Sequence, residues 1–378
     1  MHKSGQPGRA LTGSAALKVN LCVILAATGA IAQDSQKPVA PDLELAGALQ
    51  TDAVGNFNSP ANGFNQDLGF LNHSNQFRVT EGTLSVAGYC RDVGFRLDVG
   101  GGDFYRVAMA TDSWKGPNTY ISQAYFIWKP NTRIQIDAGK FFSSVGAEAP
   151  HSYDNFNISH SLLFWYAEPL YHVGVRASAS IGAGFKAGVQ LLSGSNTITG
   201  SHGHQTVALT ASWSGTRWGW SEIYMDGNEK LEGSGRRHLS DTVITFNPSQ
   251  AITGYTEVLG VIERRVSHGY DHWYGWATSW KFSPCQKWSF SPRVDWLDDV
   301  DGATTGQPQR LFEFTLTGEY HLRQFVIARL EYRSDISNRM FYERAANLRA
   351  SRQQDMVIAS LVFTVHRKFK RKERKPGT

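Results

Sequence analysis

The chain has 378 residues, enough for two ordinary soluble domains or one large barrel. Mean hydropathy is −0.33, and past the N-terminus no run approaches the ~18 apolar residues of a membrane helix, which excludes a helical membrane protein. Of the formal +5, the first 32 residues carry +3 and the tail 366–378 carries +6, so the body carries −4 and the pI near 9.0 gives no support to a nucleic-acid partner.

Residues 1–32 read as an export signal. Lys3, Arg9 and Lys18 supply a basic region, Val19 to Ala27 an apolar one, and Ala30-Ile31-Ala32 a small-x-small cleavage pattern. Cys22 follows Leu21 rather than a small residue, so a lipoprotein is not expected. The two cysteines of the mature chain, Cys90 and Cys285, fall in turns far apart in strand order, and no disulfide is expected between them.

Strand-like segments follow at 42–50, 75–88, 91–101, 118–130, 132–144, 169–181, 184–194, 204–214, 217–228, 236–248, 251–264, 271–283, 287–299, 309–321, 324–335 and 354–365. Links after even-numbered strands are short, such as Tyr89-Cys90, Gly182-Ala183 and Leu322-Arg323. Links after odd-numbered strands are mostly longer, such as 51–74, 145–168 and 336–353. Short turns on one rim and long loops on the other predict an all-β fold, a transmembrane antiparallel up-and-down barrel of about 16 strands with periplasmic turns and external loops. The barrel is expected over 33–365, followed by a basic periplasmic tail at 366–378.

Side chains on a strand alternate between two faces. Val93, Phe95, Leu97 and Val99 oppose Arg96 and Asp98. Ile134, Ile136 and Ala138 oppose Arg133 and Asp137, and Val173 and Val175 oppose His172 and Arg176. Phe312, Phe314, Leu316 and Tyr320 oppose Glu313 and Glu319, while Leu330 and Tyr332 oppose Arg329, Glu331, Arg333 and Asp335. An arginine turned toward mid-bilayer costs roughly 2–4 kcal/mol, so the ionic face belongs to the lumen. Strands 75–88 and 251–264 permit either parity. The aromatic content, 12% with 11 Trp and 14 Tyr, suits girdles at two membrane interfaces. Clusters such as Trp213, Trp218, Trp220, Trp273, Trp276 and Trp280 are expected to anchor there rather than to stack on sugars.

Four segments carry a family likeness: Val145-Gly146-Ala147-Glu148, Asn157-Ile158-Ser159-His160-Ser161, Arg293-Val294-Asp295-Trp296-Leu297-Asp298-Asp299 and Arg329-Leu330-Glu331-Tyr332-Arg333-Ser334-Asp335. With the closing pattern Gln354 to Val365, they resemble the OmpL-like β-barrel porins of the porin-2 type. The resemblance runs from about residue 75 and implies a Gram-negative outer-membrane channel. One departure concerns assembly. Such barrels commonly end on an aromatic residue, which the barrel-assembly machinery reads, whereas this chain runs on past Phe363 and Val365 to Thr378.

The expected pore-lining charges are Arg96, Asp98, Arg133, Asp137, Arg176, Arg293, Asp295, Glu313, Glu319, Arg329, Glu331 and Arg333, which either sort solutes or brace the wall. The loop 145–168, with Glu148, His151, Asp154 and His160, is a candidate to fold inward and narrow the channel. His202, His204, His268 and His272 lack ligand companions, and neither a metal nor a cofactor is expected.

The leading expectation is passive diffusion of small hydrophilic solutes. One alternative is an outer-membrane lipid hydrolase, for which His160-Ser161 is a poor nucleophile–base pair. The other is an exported soluble carbohydrate-active β protein. Outer-membrane lipid is the expected surrounding. The choice between monomer and homo-oligomer stays open.

Overall fold

In a computed structural model, which describes residues 42–110, 120–198, 205–229, 235–265, 268–345 and 350–369, sixteen antiparallel strands close into one barrel. They are β1 (Asp42–Asn56), β2 (Gln76–Cys90), β3 (Val93–Gly101), β4 (Tyr120–Trp128), β5 (Ile134–Phe142), β6 (Tyr171–Gly182), β7 (Phe185–Leu192) and β8 (Thr206–Ser214). The second half comprises β9 (Trp218–Asn228), β10 (Arg236–Ser249), β11 (Ile252–Arg264), β12 (Tyr270–Phe282), β13 (Trp288–Asp299), β14 (Gln309–Arg323), β15 (Val326–Ser337) and β16 (Gln353–Phe369). Two short helices lie in long loops: α1 (Asp103–Ala108) and α2 (Leu162–Tyr166).

Each strand pairs with its chain neighbours, and β1 pairs with β16 to close the ring, with Leu49 opposite Phe363 and Asn56 opposite Met356. Closure leaves no strand edge unpaired, which a sheet in hydrocarbon requires because lipid cannot satisfy backbone N–H and C=O groups. The expected signal at 1–32 lies outside the described residues. At the other end β16 continues to Phe369, pairing His366 with Ala46 and Phe369 with Leu43, so the strand extends four residues past the expected boundary.

The faces sort as the alternation requires. Phe95, Val175, Leu209, Phe314, Leu316, Leu330 and Leu361 stand exposed on the outside, while Arg293 and Arg333 are among the largest fully buried side chains. A soluble domain would reverse this arrangement. Near the short-turn rim, outward aromatics meet in pairs. Trp213 lies 4.5 Å from Trp218, Trp288 lies 4.5 Å from Tyr320, and Phe246 stacks on Trp280. Trp273 departs from the expected girdle. It faces inward, buried, beneath the Arg237 guanidinium, because its register partner Val261 is an inward residue.

The undecided parities are also resolved. In β11, Tyr255, Glu257, Leu259 and Val261 are buried within the barrel, and Val258 and Ile262 face out. In β2 the pairing with β1 shifts at Gln50/Thr51, a bulge that lets one strand change the face it presents.

Candidate functional site

The loop between β5 and β6 crosses the lumen. In a ring of sixteen strands β13 stands eight places from β5, on the opposite wall, yet Glu148 of this loop meets Arg293 of β13 at 2.7 Å. The loop leaves β5 and is received first by β10 and β11, where the Gly146 N–H donates to Asp241 at 2.8 Å and the Ala147 N–H to Glu257 at 3.1 Å. Gly146 has φ +89°, and a Cβ there would run into the Glu168 carboxylate, so glycine is required on both counts.

Beyond Glu148 the chain touches further walls. Ser152 donates to Gln50 of β1 at 2.9 Å. The Asn157 amide donates to the Ser291 carbonyl of β13 (2.9 Å) and the Thr317 hydroxyl of β14 (2.8 Å), and accepts from Ser279 of β12 at 2.8 Å. The Ile158 and Ser159 N–H groups both donate to Glu331 of β15, at 2.6 and 3.0 Å. Arg329 donates to the carbonyls of Ser152 and Asn155, and Arg333 to that of His160 at 2.6 Å. Backbone groups of the crossing loop are thus met by charged side chains of the wall. That is how a buried loop satisfies its own polar groups.

Arg293 is the hub. Its guanidinium donates to Glu148, to Glu313 (3.0 Å), and to the carbonyl (2.6 Å) and hydroxyl (3.2 Å) of Ser159. After this crossing the chain forms α2, capped by Ser161, whose hydroxyl accepts from the Phe164 N–H. Leu162 and Leu163 pack against inward-facing apolar residues of β8–β14, among them Ile223, Met225, Leu239, Leu259 and Leu297. The loop tops close over it. Tyr166 and Tyr342 (2.7 Å) both donate to Asp67, and Leu68 and Leu71 meet Ile158 and Ile358. Part of the barrel interior is therefore packed like a soluble core.

Among the described residues, two open spaces lie on the lumen side. One, about 850 Å³, is bounded by β1–β3, the foot of β15 and β16, and His151, Tyr153 and Asp154 of the loop. The other, about 390 Å³, lies against β5–β9 and is lined by Asp137, Arg176, Lys186, Gln190 and Ser212.

A barrel of sixteen strands with one loop crossing its lumen invites comparison with known channels. The sequence matches the family described as putative beta-barrel porin-2, OmpL-like, over residues 42–365. The chain belongs to this family. No curated protein matches it. Among solved structures, this porin resembles the anion-selective porin from Comamonas acidovorans, with TM-score 0.62 and 9% identity over 86% of this chain and 100% of that one. It likewise resembles the outer membrane channel DcaP of Acinetobacter baumannii, with TM-score 0.59 and 11% identity over 87% and 99%. OmpT of Vibrio cholerae aligns with TM-score 0.59 and 8% identity over 87% and 99%. At such identities the likeness is one of fold.

Of the expected pore-lining charges, all but Arg133 stand within strands, and the loop divides them. Arg293, Asp295, Glu313, Arg329, Glu331 and Arg333 are sealed beneath the loop and line no open water, because it spends its backbone groups on them. Arg96 and Arg176 remain partly exposed beside Asp98 and Asp137. Glu319 is buried beside Lys281, Arg329 and His321. Arg133 sits just before β5, exposed at the turn rim and away from the crossing.

Of the loop candidates, His151 pairs with Glu81 at 2.5 Å, stacked on Tyr153, and Asp154 reaches the larger cavity. His160 is enclosed, stacked on Phe164 at 3.9 Å. Burial holds its pKa below the ordinary value, against the pull of Glu148. Ser161 is occupied with its cap, so the two do not form a hydrolytic pair. His272 is paired with Asp301 at 3.0 Å, and among the described residues no group of three His, Cys, Asp or Glu is placed to hold a metal ion.

Sequence reading missed Asp67, Glu168, Asp241 and Glu257. Burial first, then the neighbouring Glu257 and Asp241, raise Glu168 well above the carboxylate range. A carboxyl raised on folding opposes the fold as pH climbs from its unfolded value near 4.5 through the folded one. Glu168→Gln should therefore raise the unfolding temperature of the heat-modifiable band at pH 8, and the gain should vanish toward pH 4. A gain of the same size at both pH values would sink this assignment.

Proposed function

We propose that this porin is a passive outer-membrane channel for small hydrophilic solutes, with the loop 145–168 as its constriction. The crossing of the lumen from β5 to β13 carries the reading. A sixteen-strand barrel leaves an aqueous channel, and a fixed loop sets its width without any energy source. In keeping with export, residues 1–32 serve as the signal. The surrounding phase is outer-membrane lipid, entered through the barrel-assembly machinery. The arrangement needs no nucleophile or cofactor.

Homo-oligomerisation fits one feature of the outer face. Glu222 points outward, accepting from Ser240 at 2.8 Å and from Thr242, and a carboxylate facing hydrocarbon is costly unless a neighbour covers it. OmpT of Vibrio cholerae is described in a trimer form. Liposomes carrying the purified barrel should swell in iso-osmotic arabinose or glucose and stay unswollen in a large dextran. Failure to swell in any small sugar, with a folded heat-modifiable band, would falsify the channel reading.

A further inference from the structure

The lumen pairs are unequal in what they show to water. Side-chain exposure is 40% for Arg96 against 0% for Asp98, 26% for Arg176 against 3% for Asp137, 31% for Arg237 against 3% for Glu263, and 23% for Lys281 against 8% for Glu319. In all four pairs the cation is wet and the carboxylate covered. The cause is geometric. When two partners rise from the same wall, the longer side chain reaches the axis, and Arg and Lys keep their charged heads in water while their stems cover the wall. Lys186, exposed in the smaller cavity, adds a further cation. The inward acids Asp52, Glu81, Asp241, Glu257, Asp295, Glu313, Glu331 and Asp335 are all buried.

Three further carboxylates bear on the balance, and one of them runs against the trend. Asp154, on the loop, is exposed and shares the larger cavity with Arg96. Glu44, near the turn rim, is flanked by His366 and Lys368, both more exposed than itself. Glu222, at the edge of the smaller cavity, turns its carboxylate to the outer face. From these exposures we infer that the water-filled spaces beside the loop are cationic and that the channel prefers anionic solutes, small carboxylates among them, although the barrel body carries net negative charge. The inference rests on the channel reading above.

Arg96 lines the larger cavity and Arg176 and Lys186 the smaller, well within a Debye length of ~8 Å of a solute there, so these charges are not screened away. Planar-bilayer recording under a tenfold KCl gradient reads the preference directly. The wild-type barrel should give PCl/PK above 1, by roughly twofold or more.

The deciding variant is R96Q/D98N. It removes one positive and one negative charge and leaves the net charge unchanged. The ratio should nevertheless fall by about twofold, because only the guanidinium faces the solute. Lys186→Gln, an exposed residue whose loss disturbs no buried pair, should lower it similarly, and Asp154→Asn should raise it. A cation-selective wild type, or a ratio unmoved by both R96Q/D98N and Lys186→Gln, would overturn the inference while leaving the channel standing. A folded barrel that passes no current overturns the channel reading itself and the inference with it.

Discussion

Deleting residues 149–160 should raise single-channel conductance by about twofold or more, since the current is carried through whatever cross-section the loop leaves open. The excision is unusually clean. Its two ends are linked through side chains, with the Ser161 N–H donating to the Glu148 carboxylate at 2.7 Å and the His160 ring 3.0 Å from the Ala149 carbonyl. Joining Glu148 to Ser161 leaves the first arm of the loop and the cap of α2 in the chain and removes the part that lies against β1 and β12–β15. Glu331, Arg329 and Arg333 lose their loop partners but face new water, so their charges are rehydrated rather than stranded. Conductance equal to that of the full chain, in a barrel that still shows heat-modifiable migration, would refute the constriction.

Arg293→Met should instead unfasten the loop with its chain length intact. The side chain is fully buried, and its loss leaves Glu148, Glu313 and Asp295 facing one another with no guanidinium between them. Removing one member of such a buried set costs about 3–5 kcal/mol, most of it the penalty for the charge left behind. The expected result is a marked fall in the unfolding temperature of the heat-modifiable band, and a current that steps between the wild-type level and a larger one. Adding Glu148→Gln should recover part of the loss, as partners in one network are not additive. A single variant as stable as the parent would show that Arg293 does not hold the loop in place.

The barrel was legible because its determinants are local. Alternation fixes which way Phe314 and Glu313 point wherever they are, and the length contrast between successive links needs only counting. The loop was half legible. Glu148, His151, Asp154 and His160 marked it as unusual, but whether it dips inward depends on acceptors held by strands far along the chain, such as Asp241, Glu257 and Glu331. The division of the lumen charges was not legible at all. Arg96 and Arg293 occupy equivalent motifs, an arginine two residues before an aspartate on an upward strand, yet one is wet and the other sealed. Trp273 misled for a related reason. Inward positions of this barrel accept large apolar groups wherever the loop supplies a core to receive them, so an aromatic in a strand does not by itself declare for lipid.

The loop emerges early from the chain, and most of its moorings come late. Glu148 waits for Arg293, and the backbone at Ile158 waits for Glu331, 173 residues downstream. Contacts of such sequence separation form only after long segments have been closed, so they are the last to be rewarded with free energy. The narrow passage is accordingly a property of the finished cylinder: a precursor lacking its final strands can hold the near arm of the loop on β10, β11 and β13, but the far arm stays untied until β15 brings Arg329, Glu331 and Arg333.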